Sequence, residues 1–143
     1  MDEQELHDKF EIQEFITRYA HAVNASDWET IRSLFVADAI FDLEESGVIT
    51  GSRDEVIAVL EKTMSMLAWT QGFASNVLIE LDGDAATVKT QMMRAMQLPG
   101  VDGPSFAGSY YHHEMVRTAD GWRGRRFREE PLWLTNPPSG HLH

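Results

Sequence analysis

Near the N-terminus, apolar residues recur at the spacing of a helix. From about Leu6 to Val23 they form one apolar stripe opposite an acidic face, which predicts a first amphipathic helix. Ser26, followed three residues later by Glu29, matches a capping box, and the apolar residues after it keep the helical spacing. This pattern predicts a second, short helix that ends near Ala37.

The same capping signature returns further along the chain. Ser52 and Glu55 precede a further set of apolar residues at helical spacing, which predicts a third helix from about Arg53 to Leu67. Between the second and third helices, the segment AIFDLE is too short for a helix. It predicts an edge strand.

Beyond Trp69 the apolar positions alternate with a period of two, which is typical of half-buried strands. Two Asp-Gly pairs interrupt the alternation, and Asp-Gly is a preferred sequence for tight hairpin turns. Two consecutive hairpins therefore predict a four-stranded antiparallel meander. Its predicted parts are Asn76–Leu81, the turn Asp82-Gly83, Ala85–Leu98, Phe106–Arg117, the turn Asp120-Gly121 and Trp122–Glu130.

Helices that precede an antiparallel sheet are typical of an α+β domain, in which the helices cover one face of a curved sheet. The 143 residues, 43% of them hydrophobic, fit one domain that spans residues 1–143. We expect a core from about residue 6 to residue 133 and a loose tail over residues 134–143. The Pro- and Gly-rich segment LPGVDGPS predicts a flexible loop between the two hairpins.

The charge of the chain argues against a nucleic-acid partner. A formal net charge of −11 repels a phosphate backbone, and no long run of Lys and Arg offsets this repulsion. A short basic cluster alternates along the last predicted strand and is followed at once by Glu129 and Glu130, so we interpret it as a mostly solvated or salt-bridged sheet face. Its members are Arg123, Arg125, Arg126 and Arg128.

The chain contains no cysteine, which excludes a disulfide framework, a thiolate metal site and a cysteine nucleophile. The start MDEQELHDKFE is acidic and has no apolar signal region, and no stretch approaches the ~18 apolar residues of a membrane span. We therefore expect a soluble, cytoplasmic protein with no membrane partner.

Four segments in order resemble the SnoaL-like branch of the nuclear transport factor 2-like superfamily. They are RYAHAVNASDWETIRSLFVADAIFDLE, GSRDEV, SNVLIELDGDAATV and YYHHEMVRTADGWRGR, and the similarity covers residues 10 to 130. The branch includes polyketide cyclases, scytalone dehydratase and a dehydrochlorinase that acts on chlorinated cyclohexanes. The resemblance implies a cone-shaped α+β barrel, a homodimer or homotrimer, and a pocket that often works without a cofactor.

The chain departs from this family at the residues that carry its chemistry. In the dehydratase-like and dehydrochlorinase-like members, an aspartate orients a histidine that removes a proton from carbon. The matching places here resemble Asn24 and Gly72, and a further pocket histidine falls on Thr90. Asn24 and Gly72 cannot replace that pair, because Asn24 carries no charge to orient a histidine and Gly72 has no side chain that could act as a base. The family's activity therefore does not transfer directly to this chain.

The segment GSYYHHEMVR carries a dense set of candidate catalytic side chains. Alternation along a strand places Tyr110, His112 and Glu114 on one face and the residues between them on the other. The two adjacent histidines therefore point apart, which disfavours a three-ligand metal site. No metal is expected.

Comparison with scytalone dehydratase implies that Tyr110 and His112 form part of the pocket wall. The same comparison aims Thr90 inward, and alternation adds Met92, Arg94 and Met96 to that face. Tyr19 and Asn24 of the first helix would form the roof of the cavity, and Leu43 of the edge strand would add to its apolar wall. Trp69 is a candidate for the mouth of the cavity or for a subunit interface.

The leading hypothesis is a cofactor-independent lyase or isomerase, by preference a dehydratase. Its substrate would be a hydrophobic aromatic or polycyclic hydroxylated small molecule. His112 would assist proton transfer, and Tyr110 and Arg94 would stabilise negative charge on oxygen. A structural hydrogen-bonding role for these three residues stays open, and so do two other functions: a non-catalytic ligand-binding domain and a dimerisation domain.

Overall fold

The computed structural model describes residues 1–138, and the chain forms three helices followed by most of a six-stranded sheet. The predicted tail begins inside the last strand, and its residues 139–143, including His141 and His143, lie outside the described residues. The helices are α1 (Glu3–Asn24), α2 (Trp28–Ser33) and α3 (Arg53–Met64). The strands are β1 (Phe35–Asp42), β2 (Thr50–Ser52), β3 (Thr70–Asp82), β4 (Ala85–Met96), β5 (Ser105–Thr118) and β6 (Gly121–Thr135).

The first predicted helix is confirmed, whereas the second is shorter than predicted. Helix α1 begins after Asp2, whose carboxylate accepts the Glu5 backbone N–H at 2.8 Å. The cap of α2 is Asp27 rather than Ser26, because the Asp27 carboxylate accepts the Thr30 backbone N–H. Helix α2 ends at Ser33 because the next residues enter strand β1.

Helix α3 begins as predicted, with both hydrogen bonds of a capping box between Ser52 and Glu55. It ends at Met64 rather than Leu67. Its apolar side buries Val56 and Ile57 against the sheet and leaves the opposite side exposed.

Removing this cap should weaken the fold slightly. We expect Ser52→Ala to lower the free energy of unfolding by about 1 kcal/mol, because the first turn of α3 loses its side-chain acceptor. Urea unfolding measures the change. Ser33→Ala is the matched control, since its hydroxyl bonds only to the Thr30 carbonyl at an exposed position; equal losses for the two variants would contradict the capping role.

The sheet contains the predicted meander and two further strands. Its order is β2-β1-β6-β5-β4-β3, and every neighbouring pair is antiparallel except β1 and β6. The segment AIFDLE contributes to strand β1, as predicted, but its predicted edge position is wrong, because β1 lies between β6 and the short strand β2, which forms the edge. The curved sheet does not close into a barrel.

The helices cover the concave face of the sheet, and the core lies between them. Aromatic side chains from α1, β1, β5 and β6 surround the imidazole of His113. Phe127 stacks on it, and Phe15, Tyr19 and Tyr111 pack against it edge to face. Ring pairs in this geometry stabilise a core beyond the effect of area burial alone. Within residues 1–138, none of the helices is both long and apolar enough to cross a membrane.

Candidate active site

A cavity of about 210 Å³ lies between the helices and the concave face of the sheet. Most of its wall is apolar and includes side chains from all three helices. Its polar groups come from α1, β4, β5 and β6 and from the short 3-10 helix Glu44–Ser46. The lining residues are Tyr19, Val23, Trp28, Ile31, Leu43, Ser46, Val48, Leu60, Met64, Leu67, Met92, Arg94, Met96, Ala107, Ser109, Tyr111, Phe127 and Glu129.

Strand register brings the polar groups of the cavity together. Thr90 of β4 pairs with Tyr111 of β5, and Tyr111 pairs with Glu129 of β6, so these three positions share the concave face. Arg94 lies two inward positions further along β4. The result is an arginine, a glutamate and a tyrosine in one apolar enclosure, with Tyr19 of α1 packed against Tyr111 at a ring distance of 6.1 Å.

Glu129 is the carboxyl group of this cavity. Burial raises its pKa above the ordinary value of 4.5, since a desolvated carboxylate is unfavourable. The Ser46 hydroxyl lies beside it without making a hydrogen bond of standard geometry, and this hydroxyl and the charge of Arg94 only partly offset the rise in pKa. A carboxyl group with a raised pKa is a stronger base when ionised and a usable acid when protonated.

Arg94 is held in the cavity by neutral partners. Its Nη1 donates to the Thr70 hydroxyl at 3.0 Å and to the Asn24 side-chain oxygen at 3.4 Å, while its Nη2 is buried without a partner. Residues 1–138 provide no carboxylate oxygen within 4.0 Å of its guanidinium nitrogens. The cavity therefore contains a cation that no described acid pairs directly.

Gly72 makes room for this guanidinium. The side chain of Asn24 holds the Gly72 backbone with two hydrogen bonds, donating to its carbonyl at 3.0 Å and accepting its N–H at 2.8 Å. A Cβ at position 72 would lie 2.5 Å from Arg94 Nη2. Thus Arg94 occupies the space beside Asn24 into which any side chain at position 72 would project.

Both cavity tyrosines keep their protons at neutral pH. Burial raises the pKa of Tyr19 and of Tyr111 above 10.0, and the nearby charge of Glu129 adds to the rise in both. Their hydroxyls can therefore act as hydrogen-bond donors to an oxygen in the cavity.

The prediction that the face of β5 with Tyr110 and His112 lines the cavity is wrong, because the residues that line it are shifted by one position along the strand. Tyr110 and His112 lie on the outer face of the sheet, opposite the cavity. The Nε2 of His112 lies 2.8 Å from a Glu130 carboxylate oxygen, and the Lys89 ammonium lies 4.2 Å from the centre of the Tyr110 ring. The catalytic roles predicted for Tyr110 and His112 in the cavity therefore lose their geometric basis.

The neighbouring His113 lies inside the core instead. It is 2% exposed, stacks on Phe127 at 4.8 Å, and neither of its ring nitrogens has a hydrogen-bond partner. Burial lowers the pKa of His113 to about 3, so the imidazole is neutral at physiological pH. The prediction that the two adjacent histidines point to opposite faces is confirmed.

The other predicted site residues fall in three groups. Tyr19, Leu43, Met92 and Arg94 line the cavity, as does Met96. Asn24 and Thr90 lie behind the wall: Asn24 positions Arg94, and Thr90 is buried with its hydroxyl unpartnered. Trp69 is 47% exposed and does not line the cavity.

Glu129 and Tyr111 were not among the predicted site residues. For Tyr111 the signal was in the sequence, because its face also carries Met115, whereas the face of Tyr110 carries Glu114. For Glu129 the sequence was ambiguous, because alternation counted from the apolar Phe127 points Glu129 inward, whereas alternation counted from Trp122 points Glu130 inward. Residues 1–138 contain no cluster of three or more histidine and acidic side chains that could hold a metal ion.

Comparison with known proteins identifies the relatives of this chain. The model of the SnoaL-like domain family matches residues 4–128. An uncharacterized protein of Mycobacterium tuberculosis is 27% identical over 120 residues, which cover 83% of this chain and 82% of the relative.

Two solved structures have similar folds. A Novosphingobium aromaticivorans protein, provisionally designated a scytalone dehydratase, has a TM-score of 0.85 and 17% identity, and the match covers 100% of this chain and 94% of that protein. A hexachlorocyclohexane dehydrochlorinase from Novosphingobium barchaimii has a TM-score of 0.83 and 15% identity, and the match covers 97% of this chain and 96% of that protein. At these identities the likeness shows the fold alone.

Proposed function

Because the chain belongs to the SnoaL-like domain family, we propose that it is a lyase or isomerase that transfers a proton within the cavity. Its preferred reaction is the dehydration of a hydrophobic, hydroxylated ring compound. Two structural neighbours bear the names of elimination enzymes, a dehydratase and a dehydrochlorinase, and this supports elimination as the reaction class.

This proposal rests on one observation: a partly buried carboxyl group lies in the same cavity as an arginine that has no direct acidic partner. Glu129 and Arg94 line one cavity but do not form an ion pair within 4.0 Å, so a ligand oxygen can interact with the arginine. A base beside a fixed positive charge is the arrangement that removal of a proton next to a carbonyl group requires.

Glu129 and Arg94 have different roles in the proposed reaction. The Glu129 carboxylate removes the proton from the carbon next to a substrate carbonyl, and the electrons of the broken C–H bond form an enolate. Arg94 and the Tyr111 hydroxyl stabilise the negative charge on the enolate oxygen. The enolate then expels the neighbouring hydroxyl group, which takes the proton from Glu129 and leaves as water, so a C=C bond replaces the C–H and C–O bonds.

This sequence of steps moves one proton between the substrate and Glu129. No electrons enter or leave the substrate, so the balance of the reaction requires no cofactor. Isomerisation would follow the same first step, with the proton returned to a different carbon.

The dimensions and wall of the cavity support a small, apolar substrate. A cavity of about 150 Å³ lined by apolar side chains is known to accept benzene in another protein, and the cavity here is larger, at about 210 Å³. Three methionines, Met64, Met92 and Met96, give the wall an adaptable shape. This volume favours a single substituted ring over a polycyclic molecule.

The test is an NMR assay with the full-length protein in D₂O. A panel of monocyclic β-hydroxy ketones is incubated with the protein, and the signals of the C–H next to the carbonyl and of the C–O carbon are followed. We expect deuterium incorporation or loss of water for at least one compound. Compounds that bind, as thermal shift would show, but stay chemically unchanged would overturn the proposal and favour the ligand-binding alternative.

The homodimer or homotrimer stays a prediction, and we propose that the outer face of the sheet is the contact with a second copy. Large apolar side chains are exposed around one depression on that face, and patches of this kind mark protein contacts. Sedimentation equilibrium should give two or three times the chain mass of 16.2 kDa. The mass of a monomer at all protein concentrations would contradict the predicted homodimer or homotrimer. The exposed side chains are Phe73, Met93, Leu132 and Trp133.

A further inference from the structure

Arg94 has an unusual environment for a charged side chain. It lines a mainly apolar cavity, its hydrogen-bond partners Asn24 and Thr70 are neutral, and its Nη2 has none. A partly buried charge without an opposite charge in contact is unfavourable, because its lost hydration is not replaced. A ligand group with a negative charge would relieve this imbalance.

We propose that the cavity binds single-ring molecules through one anionic oxygen, an enolate or a phenolate, held against the guanidinium of Arg94. This inference rests on the proposed function in one respect, because an enolate is the intermediate proposed there. It goes further in naming the charge and the size of the ligand that the site holds most tightly.

The other charged and titratable groups around this position are compatible with a bound oxyanion. Tyr19 from α1 and Tyr111 from β5 carry protons and can donate hydrogen bonds to the same oxygen. From β6, Glu129 is the one group with which a bound anion would compete. A protonated Glu129 removes this competition, so binding of the anion should be coupled to proton uptake at Glu129.

Because of this coupling, one substitution at Glu129 should remove catalysis without weakening oxyanion binding. Glutamine at position 129 resembles the protonated carboxyl in shape and charge. The variant Glu129→Gln should therefore bind a phenolate at least as tightly as the unaltered protein at neutral pH, although it lacks the base that the proposed reaction needs.

The probe for the experiment is 4-nitrophenol, because its phenol and phenolate forms have different visible absorption spectra. Titration of the full-length protein should show a bound phenolate spectrum at a pH at which free 4-nitrophenol is partly protonated. The neutral compound 4-nitrotoluene has the same ring with a methyl group in place of the oxygen. We expect it to bind about 10- to 100-fold more weakly, which is the range for loss of one charge-assisted hydrogen bond.

Substitutions of Arg94 test whether this residue is responsible for the preference for the phenolate. Arg94→Met should abolish the preference for the phenolate, and Arg94→Lys should retain part of it because the charge remains. Arg125→Met is the matched control, since Arg125 lies on β6 with a 58% exposed side chain, pairs with Glu114 and does not line the cavity. Thermal melts confirm that each variant is folded.

The outcomes distinguish the two proposals. Equal affinities for 4-nitrophenol and 4-nitrotoluene, or a preference that survives Arg94→Met in folded protein, would overturn the oxyanion site. Phenolate binding that depends on Arg94, together with no deuterium exchange or dehydration of any β-hydroxy ketone, would leave the oxyanion site standing and overturn the catalytic proposal.

Discussion

Replacement of Glu129 by glutamine should lower kcat/KM by about 10²- to 10⁴-fold, the usual contribution of a positioned general base or acid. Glutamine preserves the size of the side chain but can neither accept nor return the proton. The measurement uses the β-hydroxy ketone that the D₂O assay identifies. Activity of the unaltered protein should also rise with pH through the raised pKa of Glu129, above 4.5, because the ionised carboxylate is the base. The variant should lack this rise.

The adjacent residue supplies the control for this prediction. Glu130 lies on the same strand but on the outer face, where its carboxylate contacts His112. We expect Glu130→Gln to change kcat/KM by less than about twofold. A large loss for Glu130→Gln together with little loss for Glu129→Gln would show that the catalytic face of β6 is assigned wrongly.

Replacement of His113 by leucine should stabilise the protein by about 1 to 2 kcal/mol. The imidazole is buried with both nitrogens unpartnered, and each buried polar atom without a hydrogen-bond partner lowers the stability of the fold. Leucine has a similar volume and no polar atom. The loss of ring contacts with Phe15, Tyr19 and Phe127 offsets part of the gain. Urea unfolding at neutral pH measures the difference.

The same variant should also change the pH dependence of stability. In the folded protein His113 has a pKa of about 3, against an ordinary value of 6.5, so below pH 6.5 the unfolded chain binds a proton that the folded chain does not. This residue's contribution to stability therefore falls as the pH drops from 6.5 toward 3. The difference between His113→Leu and the unaltered protein should grow over this range and level off below it. An unchanged difference across it would contradict the burial of a neutral imidazole.

His112→Leu is the matched control for this experiment. His112 is partly exposed and paired with Glu130 on the outer face. We expect a change of less than about 0.5 kcal/mol at neutral pH, because a partly exposed side-chain contact at the surface contributes little to stability. A gain equal to that of His113→Leu would mean that the two faces of β5 are not distinguished.

Local sequence signals were sufficient for most of the fold. The capping box at Ser52 and Glu55 and the two Asp-Gly turns act over a few residues, and each places an element boundary close to its observed position. The placement of β1 was not predictable in the same way. Its parallel pairing with β6 joins segments that are distant in the chain, and no local pattern reports such a contact.

The faces of the strands could be predicted only in part. On β4 the inward positions Thr90, Met92 and Arg94 were predicted correctly. On β5 a comparison with a distant family member gave the wrong face, although Met115 and Glu114 already indicated the right one. A shift of one residue moves every side chain of a strand to the opposite face, so a small alignment error was enough to place Tyr110 and His112 wrongly in the pocket.

Strand β6 contains a feature that the sequence did not reveal. Trp122 and Gly124 are buried, but the pairing with β5 then skips Arg125, and the next buried residue is Phe127. This bulge reverses the alternation, so Glu129 rather than Glu130 faces the cavity. A regular strand counted from Trp122 would have placed the two glutamates the other way round.

The faces of β5 can be measured directly, because the chain has no cysteine. Single substitutions His112→Cys and His113→Cys give one thiol each, and the rate of labelling by a water-soluble disulfide reagent reports its exposure. The thiol at position 112 should react readily, and the thiol at position 113 at least about 100-fold more slowly, through local opening of the core. Similar rates, or faster labelling at position 113, would contradict the strand orientation that places Tyr111, Glu129 and Arg94 in one cavity.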